Sequence, residues 1–132
     1  MKRVLLDTNI LLDTLLARQP WAKQALAICE ANDDRQITAY ATASSITDVF
    51  YISRCLVGLE DALSVINSCL RNFEICTVDR NALEQALQLS GNDFEDNLQI
   101  ACALINGLDV IVTRDNSGFQ AATIPVLSPD DF

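Results

Sequence analysis

The opening stretch of the chain constrains its fold more than any other part. Residues Val4–Leu6 are aliphatic, which is typical of a short buried strand. The polar residues Asp7–Asn9 follow at once, and the apolar spacing after them is that of a helix. A strand that ends on an aspartate places a carboxylate at the carboxyl edge of a sheet, where open α/β sheets bind their ligands. The simpler alternative is that Asp7 or Thr8 only caps the helix.

Strand-like and helix-like segments alternate along the whole chain, with no internal repeat and no linker. The strands are predicted over 4–6, 37–41, 73–78, 110–112 and 124–127. This alternation indicates a three-layer α/β/α fold with a parallel five-stranded sheet. At 132 residues the chain is long enough to bury a sizeable core, so we expect a single domain over 1–132.

Caps and helix breakers predict where several helices begin and end. Pro20 suits the first position of the second helix, and the pair Ser44-Ser45 resembles the N-cap of the third. A fourth helix is predicted over Glu60–Leu70, with an apolar stripe that packs either into the core or into a dimer face. Gly91 is expected to end the fifth helix.

The charge of the chain and its lack of histidine limit the catalytic mechanisms that it can use. The sequence contains no histidine and has a net charge of −9, which excludes Ser-His-Asp and Cys-His schemes. A bound metal must be held by oxygen ligands, which favours Mg²⁺ or Mn²⁺. An acidic chain repels nucleic acid unless cations neutralise part of its charge. The alternative is that the acidity serves solubility or a basic protein partner.

Cysteine usage and hydropathy indicate the compartment. The five cysteines are an odd number, form no CxxC pair and mostly fall in apolar patterns, as expected in a reducing cytoplasm. No apolar run approaches the roughly 18 residues that cross a bilayer. The N-terminus lacks signal-peptide architecture, because Asp7 interrupts its apolar region. We therefore expect a cytoplasmic protein without membrane contact.

Acidic residues recur at equivalent places in the predicted fold. Asp7 and Asp115 follow strands, whereas Asp48 and the pair Asp93 and Asp96 are expected in the first turns of helices that follow. In a parallel sheet all these positions face one edge. Clustered carboxylates raise each other's pKa unless cations offset the charge. Two divalent ions roughly 4 Å apart can activate water and stabilise a leaving oxygen in phosphoryl displacement.

These segments resemble the four ordered motifs of PIN-domain nucleases. The matching stretches are Leu6–Leu11, Ser45–Asp48, Asp93–Asp96 and Val112–Asp115. The resemblance covers nearly the whole chain, and its length suits the small single-domain toxins of type II toxin–antitoxin pairs, the VapC-like branch. It implies the strand order 3-2-1-4-5 and metal-dependent endonucleolytic cleavage of RNA with Mg²⁺ or Mn²⁺. It also implies an antitoxin partner, and we expect a homodimer or higher oligomer.

The resemblance assigns roles to particular residues. It makes Asp7, Asp96 and Asp115 the core acids that bind metal, with Asp48 as the fourth catalytic acid. Glutamate is usual at the position of Asp48, which is one methylene shorter. Asp93 competes with Asp96 for the third motif. We favour Asp96, because Ile100-Ala101 follows it at the family's spacing, and keep Asp93 as an auxiliary metal ligand or a helix cap.

Four further residues complete the predicted site. Asn9 and Thr113 match polar positions that support the metal shell. Arg54 and Arg114 are candidates for contact with the RNA backbone, with ordinary surface charge as the alternative for each.

Two other functions stay open at the level of the sequence. The chain could be a catalytically inert PIN-fold module that only binds other proteins. It could instead be a phosphatase that forms an aspartyl-phosphate at Asp7. That chemistry usually requires a second aspartate two residues later, where this chain has Asn9.

Overall fold

A parallel five-stranded sheet forms the centre of the molecule. The computed structural model describes residues 1–132. Its strands are β1 (Lys2–Leu6), β2 (Ile37–Thr42), β3 (Glu74–Cys76), β4 (Val110–Val112) and β5 (Val126–Leu127). Their order is 3-2-1-4-5, and every neighbouring pair is parallel. The fold class and the strand order are both confirmed. The order reverses between β1 and β4, which is where such sheets bind ligands.

Six helices connect the strands. They are α1 (Thr8–Leu15), α2 (Ala22–Asp33), α3 (Ala43–Val57), α4 (Leu59–Asn72), α5 (Arg80–Gln88) and α6 (Phe94–Ile105), followed by a short 3₁₀ turn at Asn116–Gly118. None of them combines the length and the apolar character that a membrane crossing requires.

The sheet separates two apolar cores, and β1 contributes to both. Val4 and Leu6 face the core formed with α1 to α4, whereas Leu5 faces the core formed with α5 and α6. All three side chains are fully buried, and each such burial contributes about 1.5–3 kcal/mol to stability. The residue that follows this strand, Asp7, is therefore carried by the best-packed element of the fold.

The third helix begins earlier than its sequence suggests. Thr42, not Ser44 or Ser45, is the N-cap: its backbone is extended, and its side chain accepts a hydrogen bond from the Ser45 amide at 3.1 Å. A threonine at the end of a strand can continue the sheet and cap the next helix with the same backbone geometry. Asp48 consequently lies in the second turn of α3, so its predicted place in the first turn was wrong.

Two other boundary predictions were wrong. Pro20 precedes α2, which begins at Ala22. The fifth helix ends at Gln88, because Leu89 adopts an extended backbone and packs its side chain against the α5–α6 core. Gly91 is therefore not its terminator. At the end of α5, the packing of Leu89 outweighs the local signal of Gly91.

The cysteines form no disulfide. All five are free, and Cys69, Cys76 and Cys102 are buried as core residues, whereas Cys55 is exposed. Burial raises the pKa of Cys69 and Cys76 to about 11 and that of Cys102 to about 12. These three groups are neutral thiols that pack as small apolar side chains.

Candidate active site: an acidic cavity at the carboxyl edge of the sheet

A cavity of about 490 Å³ opens at the carboxyl edge of the sheet. Its lining is Asp7, Thr8, Asn9, Asp48, Tyr51, Ile52, Asp93, Glu95, Asp96, Gln99 and Asp115. All five aspartates predicted for the site are among these residues. We call this space the acidic cavity. A larger cavity of about 640 Å³ involves Lys2 and Ile37 at the opposite edge, and its one acidic residue is Asp130.

Asp7 is held firmly at the floor of the acidic cavity. Its backbone amide donates to the Val112 carbonyl of the neighbouring strand at 3.0 Å. Its Oδ1 accepts from the Thr8 amide at 2.7 Å and from Gln99 Nε2 at 2.8 Å, and its Oδ2 accepts from Thr113 Oγ1 at 2.7 Å. Asp7 therefore caps α1, as the simpler sequence interpretation had it. A carboxylate oxygen accepts about two ligands, so Oδ2 retains capacity for one more.

Asp96 lies in the first turn of α6, and Asp93 caps that helix. The Asp96 amide donates to Asp93 Oδ1 at 3.1 Å, so the predicted capping role of Asp93 is confirmed. Partial burial raises the pKa of Asp96 to about 6, and repulsion from neighbouring carboxylates adds to this effect. Those neighbours are, in decreasing order, Asp93, Asp7, Glu95 and Asp115. The repulsive part of this effect shows that the other carboxylates lie near Asp96.

The Asp96 carboxylate lies directly against the backbone of Gly118. A Cβ built at Gly118 would overlap the carboxylate. The short turn after β4 can therefore approach Asp96 only because glycine has no side chain. This contact brings the Asp115–Gly118 segment against the start of α6.

Asp115 lies at the exposed rim of the acidic cavity. Its Oδ1 accepts from the Ser117 amide at 3.0 Å, and hydrogen bonds from the backbone and side chain of Ser117 lower its pKa by stabilising the charged form. The Asp115 amide donates to Thr113 Oγ1 at 3.2 Å. Since Thr113 also donates to Asp7, one hydroxyl links two of the predicted acids.

Asp48 and Glu95 also line the acidic cavity. Burial raises the pKa of Asp48 on α3. The pKa of Glu95 is raised mainly by the charge of Asp48, then by burial and by the charges of Asp93 and Asp7. Asp48 thus lies close enough to Glu95 to influence its ionisation.

The donor set of the acidic cavity suits a hard cation. Apart from the Tyr51 phenol, its ionisable groups are carboxylates, and carboxylate and amide oxygens are the ligands that Mg²⁺ and Mn²⁺ prefer. The side chains do not form a closed ligand shell as they stand, because no three of them are spaced to hold a metal ion. The oxygen ligands of the cavity fit the predicted metals. In this structure the carboxylates of Asp7 and Asp115 accept hydrogen bonds from other protein groups.

The two arginines proposed for RNA contact occupy different settings. Arg54 is exposed toward the end of α3. Arg114 is half-buried, and its Nε donates to Asp13 Oδ2 at 2.6 Å. Its guanidinium group also lies over the Trp21 ring, 3.7 Å from the ring centre. Arg114 is thus engaged by Asp13 and Trp21 of the same chain.

Sequence reasoning missed Gln99, Glu95 and Asp13. Gln99 lies one helical turn after Asp96, on the same face of α6, and this spacing could have identified it. Glu95 was visible in the polar segment before α6 but had no motif position. Asp13 falls within the apolar pattern of α1, and its partner Arg114 is 101 residues away, so no local signal could have paired them.

The fold and the site together define an α/β domain with a carboxylate-lined cavity where its strand order reverses. The family model described as "PIN domain" matches residues 3–117. The chain therefore belongs to the PIN-domain family. No curated protein sequence matches it significantly. The family match gives no support to the phosphatase alternative.

Solved structures share this fold at low sequence identity. DNA-bound VapBC from Salmonella typhimurium has a TM-score of 0.74 at 17% identity, covering 98% of this chain and 99% of that one. A toxin–antitoxin complex from Klebsiella pneumoniae has a TM-score of 0.69 at 22% identity, with the same coverages of 98% and 99%. VapC20 from Mycobacterium tuberculosis, a sarcin–ricin loop cleaving toxin, has a TM-score of 0.70 at 12% identity, covering 89% and 94%.

Proposed function

We propose that this protein is a Mg²⁺- or Mn²⁺-dependent endoribonuclease that acts as the toxin of a toxin–antitoxin pair. One observation carries the proposal: carboxylates from four separate segments of the chain line one cavity at the reversal point of the sheet. Hydrophobic packing alone does not require such a gathering, and like charges oppose it.

Electrostatics supports a bound cation. Two unit charges 4 Å apart interact by about 4 kcal/mol at the effective dielectric near a protein surface. The acidic cavity has no lysine or arginine in its lining, and the chain as a whole carries a net charge of −9. Divalent cations would offset this repulsion, and they would also allow an anionic RNA backbone to approach.

Each residue has a role in this proposal. Asp7, Asp96 and Asp115 would hold the cation, with Asp48 and Asp93 completing or orienting the shell. When bound, the metal activates a water molecule and stabilises the leaving oxygen of the phosphodiester. Gln99 and Thr113 keep the Asp7 carboxylate oriented through their hydrogen bonds.

The remaining polar positions concern the substrate. Asn9 adds a polar group to the rim of the acidic cavity. Arg54 is the arginine left to contact the RNA backbone from the protein surface, since Arg114 is engaged by Asp13.

The partners follow from charge and surface composition. The Klebsiella pneumoniae structure is a toxin–antitoxin complex, and the Salmonella typhimurium structure is a DNA-bound VapBC. For this acidic chain we propose a basic antitoxin. Apolar side chains exposed on α3 and α4, among them Leu56, Leu63 and Leu70, would be covered by that antitoxin or by a second copy of the chain. The free cysteines suit a reducing cytoplasm.

A cleavage assay tests the activity. Purified protein with Mn²⁺ should cut single-stranded RNA internally, and EDTA should stop the reaction. Asp7→Asn should lower the rate by at least about 10³-fold, because it removes a metal ligand and the charge that the site is built around. Asp34→Asn is the matched control, an exposed aspartate between α2 and the start of β2, at the amino edge of the sheet, and should cleave like the wild type. Equal cleavage in EDTA would contradict the mechanism.

A metal titration separates the enzyme from an inert binding module. A ligand that binds only the native state raises thermal stability. Millimolar Mn²⁺ should therefore raise the Tm of the wild type and leave the Tm of Asp7→Asn nearly unchanged. A wild type that gains nothing from Mn²⁺ and cuts no RNA would favour the inert module.

A further inference from the structure

A cluster of one carboxylate and two arginines lies just outside the acidic cavity, and the roles proposed above leave it unexplained. Asp13 on α1 is completely buried. Its Oδ1 accepts from Arg18 Nε at 3.0 Å, and Arg18 Nη2 lies 2.9 Å from the same oxygen. Its Oδ2 accepts from Arg114 Nε at 2.6 Å. Both oxygens of this carboxylate are thus occupied by charged donors. We call Asp13, Arg18 and Arg114 the Asp13 cluster.

Stability alone does not account for the Asp13 cluster. Desolvation of buried charges consumes much of their mutual attraction, and apolar residues of similar volume often replace such groups without loss. What an ion cluster adds is a fixed geometry, because arginine offers a rigid planar fork of donors. The question is therefore which parts of the molecule this geometry fixes.

Both arginines connect Asp13 to segments that line the acidic cavity. Arg18 Nη2 donates to Asn9 Oδ1 at 3.1 Å, and Asn9 is part of the cavity lining. Arg114 lies between Thr113, which donates to Asp7, and Asp115 at the cavity rim. One buried carboxylate is thereby joined to two flanks of the cavity, α1 on one side and the turn after β4 on the other.

Trp21 packs over Arg114 and restrains the Asp13 cluster. Its ring covers the Arg114 guanidinium at 3.7 Å, where a cation–π contact contributes about 0.5–1 kcal/mol at a partly exposed position. Stacking on one side and ion pairing on the other leave Arg114 little freedom to rotate. The backbone that carries Asp115 is restrained with it.

We propose that Asp13 is a positioning residue for the acidic cavity, setting the place of Asp115 and Thr113 through Arg114 and that of Asn9 through Arg18. Its kinetic test depends on the proposed nuclease function, whereas its structural test does not. Loss of Asp13 would leave the acids in the chain but shift the turn that carries Asp115. Displacements of about 1 Å at a catalytic site can cost on the order of 100-fold in rate.

The test compares Asp13→Asn with Ile37→Ala. Ile37 lies in the core, where it pairs with Lys2 at the opposite end of the sheet, so its truncation lowers stability without touching the cavity. With both variants kept below their unfolding temperatures, Asp13→Asn should lower kcat by about 10- to 100-fold with KM within about twofold of the wild type. Ile37→Ala should keep kcat. Equal kcat losses in the two variants would reduce Asp13 to a structural residue and overturn the proposal.

Amide hydrogen exchange gives a readout that needs no activity. Asp13→Asn should speed exchange at the amides of Asp115 and Ser117, which bond within the turn after β4. The Ala82 amide, capped by Asp79 on α5, should not change. Unchanged exchange at Asp115 and Ser117 in the folded variant would refute the proposal. If the wild type does not cleave RNA, the nuclease assignment fails and this measurement still decides the role of Asp13.

A second variant covers the case in which Asp13→Asn does not fold. Arg114→Lys keeps a positive charge beside Asp13 and removes the rigid fork. It should show the same faster exchange at Ser117 and the same fall in kcat. Wild-type values for both quantities would overturn the proposal.

Discussion

The acidic cavity and the Asp13 cluster place carboxylates a few residues apart in opposite physical situations. Asp13 is completely buried and meets two arginines. The carboxylates of the cavity are more accessible, lie beside one another and have no cationic side chain in their lining. Protein groups balance the charge of the first cluster, whereas the second requires something from solution. An acid whose charge is neutralised by arginines indicates a structural role. Several neighbouring acids without a cationic partner indicate a binding site.

The largest expected effect is on stability at Asp13. Asp13→Asn should lower the free energy of unfolding by about 3–5 kcal/mol, because it leaves two partly buried arginines without their counter-charge. Urea denaturation measures this difference, with or without metal. A loss below about 1 kcal/mol, the range of exposed ion pairs, would mean that the Asp13 cluster is no more stabilising than a surface pair.

The next effect separates geometry from stability within the acidic cavity. Gly118→Ala should move Asp96, whose short side chain can shift easily, and should weaken Mn²⁺ binding and RNA cleavage by on the order of 100-fold. Gly58→Ala is its counterpart. Gly58 has φ of +89° and ψ of 172° with open space around it, so alanine there should cost about 1–3 kcal/mol of stability through backbone strain and leave cleavage intact. Normal Mn²⁺ affinity in Gly118→Ala would remove Asp96 from the metal site.

A smaller effect concerns pH in the absence of metal. The pKa of Asp96 is raised in the folded state from 3.8 to about 6, so the native protein binds more protons than the unfolded chain between these values. Stability should therefore fall as pH rises from about 4 to about 6. Asp96→Asn should flatten this slope and raise the free energy of unfolding at neutral pH by less than about 1 kcal/mol after solvent screening. A Tm that rises through this window in metal-free buffer would contradict the described repulsion.

The smallest expected effect is at an exposed ion pair, whose contribution to the free energy of unfolding is the reference for that of the Asp13 cluster. Arg80 and Glu84 form an exposed i,i+4 ion pair on α5 with an N···O distance of 2.8 Å. Arg80→Met should change the free energy of unfolding by only about 0.3–0.5 kcal/mol. A loss as large as that at Asp13 would show that burial does not set the scale of ion-pair energies in this protein.

The sequence predicts the elements that depend on local patterns and fails where distant contacts decide. The strand at 110–112 and the turn from β1 into Asp7 follow from apolar runs bounded by polar residues. The strand order 3-2-1-4-5 came from the family resemblance, since periodicity does not state which strands are neighbours. The start of α3 was misplaced because a strand residue, Thr42, doubles as its cap.

The same distinction separates the acidic cavity from the Asp13 cluster. The aspartates of the acidic cavity were predictable, because a parallel sheet brings the ends of its strands and the starts of its helices to one edge. The Asp13 cluster was not, because Arg114 reaches Asp13 across 101 residues of sequence. In the sequence, Asp13 is the one charged residue of α1, with Arg18 five residues away, and only the folded chain brings Arg114 to it.

Diffraction from a crystal soaked in millimolar Mn²⁺ tests the central claim most directly, because anomalous scattering locates the ion without reference to activity. The account predicts an anomalous peak in the acidic cavity within coordinating distance of the carboxylates of Asp7 and Asp96, and no peak at the Asp13 cluster. An acidic cavity that stays empty at saturating Mn²⁺ would contradict it.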